Sequence, residues 1–330
     1  MTNALIIGAG VSGITSAIRL AEAGYQVAVW GAALPPSTTS NIAAAIWYPY
    51  KAYPIERVEA WGRVAYAELT ALAADPAAGI IVRTGVDCST RPMPDPWWRA
   101  GVASFRRAEA ADLPPGFSDG FVIDAPVVTM DRYLPYLLGR LRDLGGTIER
   151  RPVDRLELAL DACDLVINCA GLGARELVPD PQLLPIRGQI VRVAQVGLER
   201  FILDNSDDDA TTYIIPRIDD TILGGTAQVG NEMLAIDGQT AADILARCIA
   251  IEPRLARAEV LEHRVGLRPG RPAIRLESEP FDAGTVIHNY GHGGAGVTLS
   301  WGCADDVVRL AASAAQPVTA ETAPPTKESS

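Results

Sequence analysis

The chain has 330 residues, 48% apolar and 21% charged, with a net charge of −11. That length fits two packed subdomains better than one small core, and the acidic balance, with no basic footprint, argues against nucleic acid or an anionic membrane as a partner. Five scattered cysteines (Cys88, Cys163, Cys169, Cys248 and Cys303) without CxxC spacing, and only three histidines, argue against a disulfide framework or a metal site, so no metal is expected.

The first apolar run, Ala4-Leu5-Ile6-Ile7, ends in Gly8-Ala9-Gly10-Val11-Ser12-Gly13. Ile14, Ala17, Ile18 and Ala21 then recur on one helical face, opposite Arg19 and Glu22. Gly24 supplies a C-cap, and Gln26-Val27-Ala28-Val29-Trp30 reads as the next strand. This is a βαβ unit, which implies a parallel sheet. A turn-rich stretch at 34–40 leads to residues 43–50. The pattern predicts helices over 56–74 and 131–144, a strand over 147–150, and a buried strand from Asp164 that meets the small-residue turn Asn168-Cys169-Ala170-Gly171. Residues 189–193, 212–216 and 221–225 alternate as sheet strands do, 241–251 reads as a helix, and 303–312 as the last one. Beyond residue 313 the composition cannot bury a face and predicts a frayed tail.

No window approaches eighteen uninterrupted apolar residues. The N-terminus lacks the charged region of a signal peptide, and Lys327-Glu328-Ser329-Ser330 is not a peroxisomal address, so a cytoplasmic protein is expected.

Gly8-x-Gly10-x-x-Gly13 between a strand and a helix has a mechanical meaning. The first glycine permits the tight turn, the second lets backbone approach a pyrophosphate, and the third allows close helix–strand packing. The helix N-terminus then offers N–H groups and its positive dipole end to phosphate. The motif does not choose between FAD and NAD. A carboxylate usually ends the second strand and holds the ribose, but here that stretch is Trp30-Gly31-Ala32-Ala33, with neither acid nor arginine. Either other groups hold the adenosine end or cofactor affinity is reduced.

A second glycine cluster follows in Val286-Ile287-His288-Asn289-Tyr290-Gly291-His292-Gly293-Gly294-Ala295-Gly296, ahead of a helix expected from about Leu299 and of Gly302-Cys303-Ala304. On chemistry alone it is a second backbone-lined cofactor or anion loop, or else a tight strand-to-helix turn.

The order of these residues resembles the signature of the D-amino-acid and D-aspartate oxidase family: two aliphatics, His-Asn-Tyr-Gly, a small-residue cluster, then Gly-x-Ala. Thr38-Thr39-Ser40, Ala44-Ala45-Ile46-Trp47, Arg187-Gly188-Gln189, Tyr213-Ile214-Ile215-Pro216 and Gly266-Leu267-Arg268-Pro269-Gly270-Arg271-Pro272 agree in chain order, so the resemblance spans nearly everything except the tail. It implies an α/β fold with a discontinuous Rossmann-like FAD-binding domain (1–55, 140–188 and 262–313). A mixed or antiparallel-sheet substrate domain would be inserted over 56–139 and 189–261, with a flexible tail over 314–330.

The resemblance further implies an enzyme that deaminates D-amino acids oxidatively, giving 2-oxo acids, ammonia and hydrogen peroxide. Arg271 would pair with the substrate carboxylate, Tyr213 would add a hydroxyl, and the Gly294 carbonyl would face the amine. FAD would be lined by Gly8, Ala9, Gly10, Val11, Ser12, Gly13, Thr38, Thr39, Ala44, Ala45, Ile46, Val153 and Ala170, with Gly294, Gly296, Val297 and Thr298 around the flavin. His288 and His292 would orient the loop. The stretch 204–212 has no aromatic residue where animal members carry a lid tyrosine, so a reduced lid is expected; its Asp run reads as a solvated turn.

Tyr48 and Ile215 favour neutral side chains, whereas a D-aspartate or D-glutamate oxidase would need a further cation, for which Arg217 is the candidate. A glycine oxidase is a third option within the superfamily. An NAD-dependent dehydrogenase and a weak nucleotide binder without activity are the readings from other classes. Expected partners are a D-amino acid and dioxygen, with a homodimer as an open assembly.

Overall fold

The computed structural model describes residues 3–207 and 211–314. The βαβ unit forms as expected from β1 (Asn3–Ile7), α1 (Val11–Glu22) and β2 (Gln26–Gly31), with the two strands parallel. Ile14, Ala17 and Ile18 of α1 are fully buried, as the helical periodicity required. After the short α2 (Thr39–Ile42) come α3 (Ile55–Leu72), β3 (Ile80–Ser89), β4 (Phe105–Arg107), β5 (Asp119–Val128), α4 (Met130–Asp143) and β6 (Thr147–Arg150). The chain continues through α5 (Leu156–Leu160), β7 (Leu165–Asn168), α6 (Ala174–Leu177), β8 (Leu184–Ala194), β9 (Phe201–Asp204), β10 (Thr212–Pro216), β11 (Asp220–Gly224) and β12 (Gln228–Val229). It ends with α7 (Gly238–Ile251), β13 (Val260–Phe281), β14 (Gly284–His292) and α8 (Gly296–Ala314).

The strands make one mixed sheet in the order β4-β5-β3-β9-β10-β11-β8-β13-β14-β7-β1-β2-β6, with β12 beside β8. From β14 to β6 all neighbours are parallel; from β9 to β14 they are antiparallel. The long β13 joins the two halves. Val260 to Gly270 pairs with β8, Gly270 to Phe281 pairs with β14, and the register breaks between Gly270 and Arg275.

One apolar cluster runs from Ile6 and Val29 through α1, α3 and α4 to Phe121 and Ile215, so the two halves share a core. The last helix starts earlier than predicted. A short turn, Gly293–Ala295, runs straight into α8 at Gly296, which leaves Gly302 inside the helix. A Cβ on Gly302 would lie 2.4 Å from the Trp61 carbonyl oxygen, so this glycine serves the packing of α3 on α8. The predicted tail beyond residue 314, and 208–210 of the predicted lid stretch, lie outside the described residues. No helix among the described residues is long and apolar enough to cross a membrane.

Candidate active site

A cavity of about 720 Å³ runs from the β1–α1 turn, past the turn at Gly293–Ala295, to the antiparallel strands. At its nucleotide end Gly8 sits at φ +110°, where a Cβ would lie 2.3 Å from the Cys169 carbonyl oxygen. Only glycine satisfies both conditions. Gly10 caps α1 without a side chain, which leaves the helix end facing the cavity, and the Val11 N–H is held by Ser40 Oγ at 3.0 Å. Thr38 and Asn41 form a capping box that fixes α2 against this corner.

Two residues of the cavity wall each carry a buried polar atom that lacks a partner: His292 Nε2 and Asn289 Oδ1. Asn289 donates to Ser16 Oγ at 3.1 Å, which fixes its amide. Burial alone holds the His292 imidazole down at about 4, so the ring is neutral at physiological pH. A glycine cradle at a helix N-terminus, followed by unmatched polar atoms, fits a dinucleotide that carries a polar ring system.

At the far end Arg268 and Tyr213 stand side by side. Burial raises the Tyr213 phenol above its ordinary value, and the positive charge of Arg268 partly opposes the shift, so the hydroxyl stays protonated. The Tyr213 ring lies on Gly224, where a Cβ would come 2.0 Å from Cζ. The Arg268 guanidinium lies over Gly188, where a Cβ would come 2.3 Å from Nη1. Nη1 donates to the Thr226 carbonyl at 2.9 Å, which anchors the fork. Gly294 completes the group, facing the Tyr50 ring and the Arg268 Cδ. Leu203 pairs with Tyr213 in register, and Ile190, Leu203 and Ile215 supply an apolar wall.

Most residues picked from the sequence line this cavity: Gly8, Ala9, Gly10, Val11, Ser12, Thr38, Thr39, Ala44, Ala45, Ile46, Val153, Ala170, Tyr213, Gly294, Gly296 and Val297. Three do not. Gly13 faces the Gly8 carbonyl oxygen, 1.9 Å from where its Cβ would be, and packs the helix on the turn. Thr298 is spent on Tyr48, accepting from its N–H at 3.2 Å and donating to its carbonyl at 3.1 Å.

Arg271 is turned away from the cavity. Its Nε donates to Asp180 Oδ2 at 3.0 Å and its Nη1 to the Ala273 carbonyl at 2.7 Å. The physical reason is strand alternation: Arg271 lies three residues beyond Arg268, an odd separation that sets it on the opposite face of β13. The signal that identifies Arg268 is Gly188 on β8, which leaves room for its guanidinium, while Gly266 opposite makes room for Ile42.

His288 is buried between Asn168 and Glu279, in keeping with an orienting role, whereas His292 reaches the cavity wall. Arg217 forms a fully buried pair with Asp220 (Nε–Oδ1, 2.6 Å) and offers no cation to the cavity. Asn205, inside the stretch expected to be a reduced lid, lines the cavity.

A parallel nucleotide-binding half and an antiparallel half, closing one cavity between them, define a dinucleotide-dependent oxidoreductase fold. The chain belongs to the FAD-dependent oxidoreductase family, whose model matches residues 3–310, and FAD is its cofactor. It is 52% identical to a D-amino-acid oxidase of Rubrobacter xylanophilus over 95% of this chain and 97% of that protein. A D-amino-acid oxidase of Dictyostelium discoideum is 42% identical over 93% of this chain and 91% of its own. In fold the chain is similar to a glycine oxidase from Bacillus cereus, with a TM-score of 0.78, 18% identity and 95% of each chain covered.

Proposed function

We propose that this chain is an FAD-dependent D-amino-acid oxidase acting on D-amino acids with neutral side chains. The net reaction takes a D-amino acid, dioxygen and water to a 2-oxo acid, ammonia and hydrogen peroxide. The observation that carries this reading is the convergence of Arg268, Tyr213 and Gly294 at one end of the cavity that holds the glycine turn at residues 8–12 at the other.

Arg268 binds the substrate carboxylate, replacing Arg271 in that role, because a guanidinium anchored on Thr226 presents its remaining donors as a fixed fork. The protonated Tyr213 hydroxyl donates to the same carboxylate. The Gly294 carbonyl accepts from the amine, whose place beside the carboxylate matches that of Gly294 beside Arg268. Carboxylate, amine and side-chain wall fix three points, and three points select one enantiomer.

FAD, when bound, supplies the two-electron acceptor that dioxygen regenerates. The turn at residues 8–12, with Thr38, Thr39, Val153 and Ala170, would hold its nucleotide part; Ala44, Ala45, Ile46, Gly294, Gly296 and Val297 would hold the ring. Asn289 brings an amide oxygen and His292 a ring nitrogen to that part of the cavity wall, with the imidazole kept neutral by burial. Ile190, Leu203 and Ile215 keep water from the reacting carbon. No residue needs to act as a base at that carbon. In this reading the parallel half serves FAD and the antiparallel half serves the substrate. All five cysteines are free thiols, which suits a cytoplasmic site of action.

The test is a visible spectrum of the purified protein followed by a peroxide assay on D- and L-alanine. A yellow protein that yields peroxide from the D-enantiomer alone is expected; a colourless protein that stays so with added FAD overturns the reading.

A further inference from the structure

Across the sheet Arg268 stands on β13, Tyr213 on β10, Leu203 on β9 and Asp87 on β3, in that order. With the substrate carboxylate at Arg268 and Tyr213, the reading given above, its side chain extends over Leu203 toward the β3 edge. There the wall is polar. Tyr48 and Asn205 line the cavity, and Asp87, wholly buried, lies behind them.

The hydrogens of this cluster are all committed. Tyr48 donates to Asp87 Oδ2 at 2.5 Å. Asn205 Nδ2 donates to Asp87 Oδ1 at 2.7 Å and to the Tyr48 hydroxyl oxygen at 3.2 Å. The opposite amide orientation would set two acceptors face to face, so the network fixes the flip. What Asn205 has left is its carbonyl oxygen, an acceptor. A buried acid therefore turns the end of the side-chain pocket into an acceptor surface.

We propose that Asp87 is a positioning residue for substrate selection: through Tyr48 and Asn205 it makes the pocket favour side chains that donate hydrogen bonds and reject those that end in a carboxylate.

The titration of the cluster supports this. Burial lifts the Asp87 carboxyl to about 7, against the pull of Tyr48 and Asn205, with the neighbouring Asp204 carboxylate raising it further. Burial also pushes the adjacent Cys88 thiol well up, so it stays neutral, and the Tyr48 phenol likewise stays protonated. Above about pH 7 the pocket end carries a negative charge and no spare hydrogen. Below it Asp87 gains a proton, the cluster gains a donor, and the bias against acidic side chains weakens.

D-asparagine and D-aspartate are nearly isosteric, but one side chain ends in a neutral amide that donates and the other in a charged carboxylate that only accepts. Between about pH 5.5 and about pH 8 both side chains keep their charge state, so the ratio of their kcat/KM values on the holoenzyme reads the pocket. The expected ratio is about a hundredfold or more in favour of D-asparagine at pH 8, falling by about tenfold toward pH 5.5. In Asp87→Asn it should be at least about tenfold smaller at pH 8 and flat with pH. A wild-type ratio near unity, a wild-type ratio that does not move with pH, or an Asp87→Asn ratio equal to wild type overturns the proposal. Should Asp87→Asn not retain its flavin spectrum, the wild-type pH series decides alone. D-Alanine, whose side chain does not reach the cluster, is the control. Its oxidation with an indifferent ratio sinks only this inference, whereas its failure to react sinks the reading of the site itself.

Discussion

Arg271 and Asp180 form an ion pair at 3.0 Å, and the same carboxylate oxygen accepts from the Tyr290 hydroxyl at 2.8 Å. Burial pushes the Asp180 carboxyl up, but Tyr290, the Gln182 N–H and Arg271 outweigh it and hold it below its ordinary range. The pair ties β13 to the turn before β8 and takes no part in the cavity. Arg271→Ala should therefore leave kcat/KM for D-alanine within about threefold of wild type while costing about 2 kcal/mol of stability. Arg268→Ala should lose about a hundredfold or more in kcat/KM with the flavin spectrum unchanged. Steady-state kinetics and chemical denaturation of the two variants separate these effects. The reverse pattern would return the carboxylate role to Arg271.

Gly188 gives an independent check on Arg268. An added methyl would meet the guanidinium at 2.3 Å, yet the obstructed atoms are the far end of a flexible side chain. The arginine can swing away at small cost to folding, but it then leaves its place beside Tyr213. Gly188→Ala should thus raise KM for D-alanine by about tenfold, with a melting temperature within a few degrees of wild type. An unchanged KM would show that the guanidinium position is not what holds the substrate.

The nucleotide half was legible because its signals are local. A strand, a glycine turn and an amphipathic helix follow one another within Asn3–Ile7 and Val11–Glu22, and each residue reports its own environment. The substrate half depends on parity along strands. Arg268 and Arg271 are equally plausible in the sequence, but they stand an odd number of residues apart, so only one of them can face the cavity, and the neighbouring strands decide which. Asn205 was hidden for a related reason. It sits among aspartates that suggest a solvated turn, and its role comes from the distant Asp87 and Tyr48 that capture its amide.

His292 makes the protein acid-sensitive in a defined window. Its folded value of about 4 lies below the 6.5 of a free histidine, owing to burial. Between those values the unfolded chain binds a proton that the folded one refuses, so stability falls as pH drops from 6.5 toward 4 and is unaffected above. At pH 5.5 the loss from this group is about 1.4 kcal/mol. Melting curves of FAD-free protein from pH 7.5 down to pH 5 should show it, and His292→Gln should remove that part of the slope. Parallel slopes for the two proteins would mean that the imidazole gains its proton without leaving the fold.

The adenosine end offers a gain-of-affinity test. β2 ends at Gly31, and Ala32, exposed on the cavity rim, stands where an acid would reach the ribose hydroxyls. Two arginines stand at this corner. The Arg151 guanidinium stacks 3.7 Å above the Trp30 ring, and Arg150 Nε donates to the Ala32 carbonyl at 3.3 Å. A carboxylate placed there has compensating charge at hand and should not strain the fold. Ala32→Asp should lower the Kd for FAD by about tenfold, read by quenching of FAD fluorescence on titration with FAD-free protein, while Ala32→Asn gains less because its hydrogen bonds carry no charge. Equal affinity in all three proteins would mean that the ribose is held by groups already present. Asp154 and Glu176, the two native carboxylates lining this end, are then the residues to replace next.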